Sequence, residues 1–153
     1  MNQNLKAKDY IIQALFLLID SKQYDDITIT DIAKKAGVTR ISFYRNFDSK
    51  EDILRQEMKK RYETHKLTNE TEFSIGFMLE FFNQNKDLIS VLFKSKKEVL
   101  LLELIESDNI TQLPLEVAYS VATVNYLLLG WANVWYQRGM RDSTEDILKY
   151  IKQ

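Results

Sequence analysis

The chain has 153 residues, 45% of them hydrophobic and 28% charged, enough for one compact unit or two small ones sharing a core. It holds no cysteine and one histidine, His65, which excludes a disulfide framework, a thiol nucleophile, a cysteine-rich zinc site and a multi-histidine metal site within one chain. The formal net charge of −1 conceals an asymmetry, with 11 Lys/Arg against 9 Asp/Glu in residues 1–60 and 10 against 13 in residues 61–153. That weakly basic N-terminal part suits an anionic partner.

Four glycines and one proline are few for a β protein, and the apolar spacing is helical, so an all-α fold is expected. Tyr10, Ile11, Ala14, Leu15, Leu18 and Ile19 recur at i, i+3, i+4 and predict a first helix. "SKQYDD" breaks it. Thr28, with Asp31 three residues on, caps a second helix that ends at Gly37, a residue that tolerates the left-handed conformation. Thr39 caps a third helix running to about Asn46. Ser49 caps a fourth, with Glu51 and Asp52 in its first turn, reaching about His65.

"ETHKLTNETE" reads as a joint. Helical spacing returns at Phe73, Phe77 and Phe81, and again at Leu88, Val91 and Leu92. "EVLLLELIES" follows, then a break at "DNITQLP". Pro114 opens a helix that is apolar nearly all round, from Leu115 to about Arg138. A last short helix, capped by Ser143 with Asp146, closes the chain. No internal repeat or low-complexity tract is present. No apolar run reaches the roughly 18 residues of a membrane span, and "MNQNLKAKDY" lacks a signal-peptide pattern, so no membrane partner and a cytoplasmic location are expected.

Helices two and three, joined at Gly37, have helix-turn-helix spacing. Ile32, Ala33, Ala36 and Val38 supply contacts around the turn. With Ile41, Phe43 and Phe47 mostly used for packing, Thr39, Arg40, Ser42, Tyr44, Arg45 and Asn46 form the remaining face of helix three. Hydroxyls and amides bond phosphates or base edges. Arginine suits guanine O6/N7 or phosphate, and asparagine suits adenine N6/N7.

At these residues the sequence resembles the TetR family of bacterial transcriptional regulators. In "TITDIAKKAGVTRISFYRNFDSKEDIL", 28 to 54, Thr28, Ile32-Ala33, Ala36-Gly37-Val38, Phe43-Tyr44, Phe47 and Ser49-Lys50-Glu51 fall in the family's N-terminal pattern. The resemblance implies that Tyr44 and Lys50 contact backbone phosphates and that Thr39, Arg40, Ser42, Arg45 and Asn46 face the major groove. Thr28 joins them as a candidate DNA contact. The family often carries a small residue where Ile41 stands. "LLLGWANVWYQRGMRDSTEDIL", 127 to 148, resembles the end of dihydroxyacetone-kinase operon regulators, through Trp135, Gly139-Met140 and Ser143.

The expected organisation is a three-helix DNA-binding domain over 1–48 and a short helical dimerisation and effector domain over 49–153, connected by helix four, about 49–65. An all-round apolar helix must be buried on several sides, and a second copy is its natural cover. Val121, Leu128 and Trp135, spaced by seven, with Ile147 and Ile151, are the expected interface. Phe73, Phe77, Phe81, Asn125 and Tyr126 are candidate effector contacts, although the phenylalanine stripe reads first as core. The expected function is a dimeric, sequence-specific DNA-binding regulator, a repressor released by a small-molecule effector, acting on a (pseudo)palindromic double-stranded operator. An adaptor with the same fold, acting through protein contacts, is the alternative. No nucleophile–base pair and no phosphate-cradling glycine loop points to an enzyme, and no metal or cofactor is implied.

Overall fold

The structure, a computed structural model, describes residues 3–69, 74–104 and 110–150. Eight α-helices follow in order among them: α1 (Gln3–Ser21), α2 (Ile29–Ala36), α3 (Arg40–Tyr44), α4 (Lys50–Thr68), α5 (Ile75–Gln84), α6 (Lys86–Lys94), α7 (Leu115–Gln137) and α8 (Thr144–Lys149). Short 3-10 turns lie at Tyr24–Asp26, Glu98–Leu104 and Ile110–Gln112, and the described residues contain no strand. The "EVLLLELIES" stretch is thus in part a 3-10 segment, with Leu100 and Leu101 turned inward. The fold is all-α.

The helix starts are set by local chemistry. The Thr28 hydroxyl accepts the Asp31 N–H at 3.1 Å, and the Asp31 carboxylate accepts the Thr28 N–H at 2.9 Å, a complete capping box. Thr39 Oγ1 accepts from Ser42 N, Ser49 Oγ from Asp52 N and Ser143 Oγ from Asp146 N. α2 stops at Gly37, whose φ of 67° is the left-handed conformation. The Val38 N–H then turns back to the Ala33 carbonyl, satisfying an orphan acceptor.

One apolar core runs through the protomer. α1 contributes Ile11, Ile12, Leu15 and Ile19, and α4 contributes Ile53, Leu54, Met58 and Tyr62, each at helical spacing. Phe43 and Phe47 are buried beneath the turn. Phe77 and Phe81 stack edge-on against Tyr62, and His65 packs 4.4 Å from the Phe77 ring. His65 is buried, with Nε2 3.2 Å from the Phe77 carbonyl and Nδ1 beside Gln84 and Asn69, so it ties α4 to α5. The "ETHKL" half of the expected joint is therefore helix.

α7 has two unlike faces. Asn125, Leu128, Ala132 and Trp135 point into the core. Tyr119, Tyr126 and Val134 point out, 70%, 66% and 54% exposed. The face expected at a subunit interface is consequently the one the protomer uses for itself: Leu128 is 1% and Trp135 5% exposed, while Val121 and Ile147 are half-buried. Ile151 lies outside the described residues. Spacing by seven puts Val121, Leu128 and Trp135 on one face but carries no information on whether that face meets the chain's own core or a second copy.

Candidate nucleic-acid interface

α3 stands on Phe43 and Phe47 and presents its other side to solvent. Thr39, Arg40, Tyr44 and Arg45 are exposed, and Ser42 and Asn46 are half-buried at the margin. Among the described residues neither Arg40 nor Arg45 pairs with a carboxylate, and the same holds for Lys34 and Lys35 at the end of α2. By contrast Arg55 and Arg61 on α4 are tied to Glu51, Glu103, Glu57 and Asp87. Four cations of the helix-turn-helix thus stand without an internal carboxylate, as Lys86, Lys96 and Arg141 do elsewhere among the described residues, and an anion approaching α3 meets no internal competitor there.

Ile41 sits differently from expectation, while Lys50 and Thr28 make contacts within the fold. Ile41 does not pack inward; it is 68% exposed. It precedes Phe43 by two positions, about 200° round a helix, so burying Phe43 turns Ile41 outward. Lys50 folds back on the 3-10 turn. Its Nζ lies 2.5 Å from the Tyr24 carbonyl, 3.0 Å from that of Ile27 and 3.4 Å from that of Asp25, with the Tyr24 ring 4.3 Å away. Three carbonyl acceptors explain a lysine at a helix start without any phosphate. Thr28 caps α2 by accepting the Asp31 N–H, as expected, and its hydroxyl also lies 2.9 Å from Asp31 Oδ2.

Asn46 is partly committed too, its Nδ2 donating to the Ser42 carbonyl at 2.7 Å. Tyr44 is half-exposed and set edge-on against Phe43, 5.4 Å between ring centres. The site's electrostatics are mostly structural. The Thr28 backbone N–H, followed by the Lys22 ammonium, holds the Asp31 carboxyl down at about 2. Burial, reinforced by Glu51 and Asp25, pushes the Tyr24 phenol up to about 12. Lys97 and then Arg55 lower the Glu51 carboxyl, linking α4 to the segment after α6.

Among the described effector candidates Phe77 and Phe81 come together in the core, and Tyr126 does not join them. Phe81 is fully buried and Phe77 nearly so, both packed on Tyr62 and His65. Asn125 faces the core, with Oδ1 lacking a partner, whereas Tyr126 is on the outer face of the same helix. Phe73 lies outside the described residues. An enclosed space beside Leu79, Phe82, Trp131 and Trp135 measures about 10 Å³, no more than one water molecule.

This geometry is a helix-turn-helix with an exposed face that carries Arg40 and Arg45. A family model described as "Bacterial regulatory proteins, tetR family" matches residues 11–56, so this part of the chain is similar to the N-terminal domain of that family. Over 52 residues the chain is 42% identical to the biofilm operon icaADBC HTH-type negative transcriptional regulator IcaR of Staphylococcus aureus (strain Newman). The figure is 36% for IcaR of Staphylococcus epidermidis. These matches span 34% of this chain but only 28% of the relatives' length. The solved structure of the fatty acid degradation regulator FadR from Bacillus halodurans superposes with a TM-score of 0.60 at 16% identity, covering 95% of this chain and 92% of that one. That likeness extends the fold, and the fold alone, over α5 to α8.

Proposed function

We propose that the chain is a homodimeric, sequence-specific DNA-binding transcriptional repressor. The observation that carries the reading is the outer side of α3, where unpaired Arg40 and Arg45 flank Ile41 and Ser42 on a helix fixed by the Thr39 cap and the Gly37 turn. Arginine and serine meet phosphates or base edges, and an exposed isoleucine meets a thymine methyl. The similarity to IcaR, a negative transcriptional regulator, supports the same direction of control.

Dimerisation is proposed through the outer face of α7. Tyr119, Tyr126, Gly130 and Val134 share one side of that helix, and nothing stands within 4 Å of where a Gly130 Cβ would be. A second helix can approach closely there. Two copies would present two α3 helices to half-sites about 34–36 Å apart in the simplest one-turn spacing. The operator would then be a (pseudo)palindrome.

The resemblance of 127–148 to dihydroxyacetone-kinase operon regulators rests on a short motif. Trp135, Gly139-Met140 and Ser143 form a left-handed turn followed by a cap, with φ of 73° at Gly139 and 55° at Met140. Release by a small-molecule effector requires a ligand that binds two states of the protein unequally.

Selection of bound sequences from random double-stranded DNA tests the whole reading. Recovery of a two-fold motif supports it. Binding without sequence preference, or none at low salt, overturns it.

A further inference from the structure

An open cleft of about 610 Å³ lies between α1, α4 and α6. α1 lines it with the apolar Ile12, Phe16 and Leu17, the last 56% exposed, beside Asp9 and Gln13. The opposite side is charged. Arg61 of α4 places its guanidinium 5.6 Å over the Phe16 ring. Arg61 Nε donates to Glu57 Oε1 at 2.7 Å, and Nη1 donates to Asp87 Oδ1 and Oδ2 at 2.8 and 2.9 Å.

A cation over an aromatic face, held between two carboxylates, is the arrangement that captures organic cations. Here a flexible side chain of the protein itself occupies it. Two further observations bear on the charge balance there. Glu57 is 7% exposed, yet its Oε2 has no hydrogen-bond partner. A buried carboxylate oxygen without a donor is costly, so the negative charge of Glu57 is only partly offset by Arg61. The cleft also holds Asp9, Glu57 and Asp87 against the one guanidinium, with Lys60 reaching Asp9 only at 3.8 Å from the rim. Among the described residues no three such groups converge closely enough for a metal ion. An extended cation with an apolar body fits both halves of the cleft.

We infer that this cleft binds a small primary amine with an aromatic or aliphatic body, whose ammonium takes Glu57 and Asp87 in competition with Arg61 while its body lies on Phe16, Ile12 and Leu17. Binding there loosens the strap from α4 to α6 and removes the cation from the α1 aromatic. Since α1 packs on α2 and α3, occupancy is positioned to alter how the reading helix is held. That last consequence rests on the DNA-binding reading; the binding itself does not.

Calorimetric titration of the full chain with phenethylamine, and with its neutral counterpart 2-phenylethanol, is the test. Saturable amine binding is expected, with the alcohol at least about tenfold weaker. Asp87→Asn, at an exposed position, should weaken the amine about tenfold without disturbing the fold, and Glu57→Gln should do the same or more. Arg61→Gln removes the internal competitor and should tighten it. No saturable heat up to about 10 mM amine, equal binding of alcohol and amine, or an affinity indifferent to both Asp87→Asn and Arg61→Gln overturns the site. Because the titration contains no DNA, a protein that binds amine but no operator refutes the regulatory reading alone. A protein that binds its operator but no amine refutes the cleft alone.

Discussion

The ammonium of Lys50 lies 2.5 Å from the carbonyl oxygen of Tyr24 and 4.3 Å from the centre of the same residue's ring. One side chain thus closes the turn between α1 and α2 from the start of α4, some 25 residues away in sequence. This relationship makes Lys50 a structural strap, and it changes what its removal should do. Lys50→Ala should cost about 1.5–3 kcal/mol of stability, the range for hydrogen bonds to a charged group. The dependence of operator affinity on salt should stay that of the wild type, because no phosphate contact is lost. Denaturant unfolding and a salt series of binding isotherms measure the two effects. A salt slope reduced by about 1 would return Lys50 to the phosphate backbone.

Arg40 and Arg45 stand on opposite ends of α3 with no acidic partner among the described residues. At least one of them should read a base edge, and Arg45 is favoured because it lies further along the helix. Its replacement by alanine should cost about 1–3 kcal/mol at one operator position and relax the preference there. Alanine variants of both, measured against every single-base change of a selected operator, give the answer. Equal losses across all positions would make both arginines phosphate contacts.

Ile41 offers a sharper test because its role rests on one group. Its exposure means that Ile41→Ala should leave folding stability unchanged. If the side chain covers a thymine methyl, replacing that thymine by deoxyuridine should weaken wild-type binding by about 1 kcal/mol, the scale of one buried methyl group. The Ile41→Ala variant should not register the same base change. A substitution series of thymine to deoxyuridine along the operator, with both proteins, identifies the position. No differential effect at any thymine would remove Ile41 from the reading surface.

The helix-turn-helix was legible because its determinants are local. Thr28 with Asp31, Thr39 with Ser42 and Ser49 with Asp52 each act across three residues, and Gly37 acts through its own φ. What escaped the sequence was decided by distant groups or by symmetry of pattern. Lys50 needed the carbonyls of a turn it does not adjoin. Ile41 is apolar, which points to packing, although the burial of Phe43 sends it the other way. α7 is apolar all round, so its spacing alone fits either orientation, and only the placement of α5, α6 and the Glu98–Leu104 segment selects Leu128 over Tyr126 as core.

The capping box at α2 makes a pH prediction. The folded Asp31 carboxyl is held at about 2, below its ordinary 3.8, by the Thr28 N–H and then by Lys22. A depressed folded value means the stabilisation is complete above the ordinary value and is lost as pH falls through the folded one. The start of α2 should therefore be unchanged from pH 7 to about 4 and should fray between about 4 and 2. The Asp31 carboxyl resonance, followed by NMR, should titrate near 2, and exchange of the Thr28 amide should accelerate over the same range. A midpoint at the ordinary value would mean that the box is not formed in solution.

The last prediction separates the two faces of α7. Leu128 is 1% exposed in a single protomer and Tyr126 is 66% exposed, although they stand two residues apart on one helix. Leu128→Glu puts an unpaired carboxylate into the protomer's own core, at a cost of about 3–5 kcal/mol, and should yield unfolded or molten chains. Tyr126→Glu leaves the core untouched. If two copies meet through this face, it places a carboxylate in the shared contact and should yield folded monomers. Operator affinity should fall steeply in that variant, because each half-site contact loses the effective concentration supplied by its tethered twin. Val134→Glu, further along the same face, should reproduce the result. Circular dichroism reports the fold and sedimentation reports the association state. Folded dimers with normal operator binding from both Tyr126→Glu and Val134→Glu would place the interface elsewhere. The outcome that supports it is a helix whose inner face, read by Leu128, holds one chain together while its outer face, read by Tyr126, joins two.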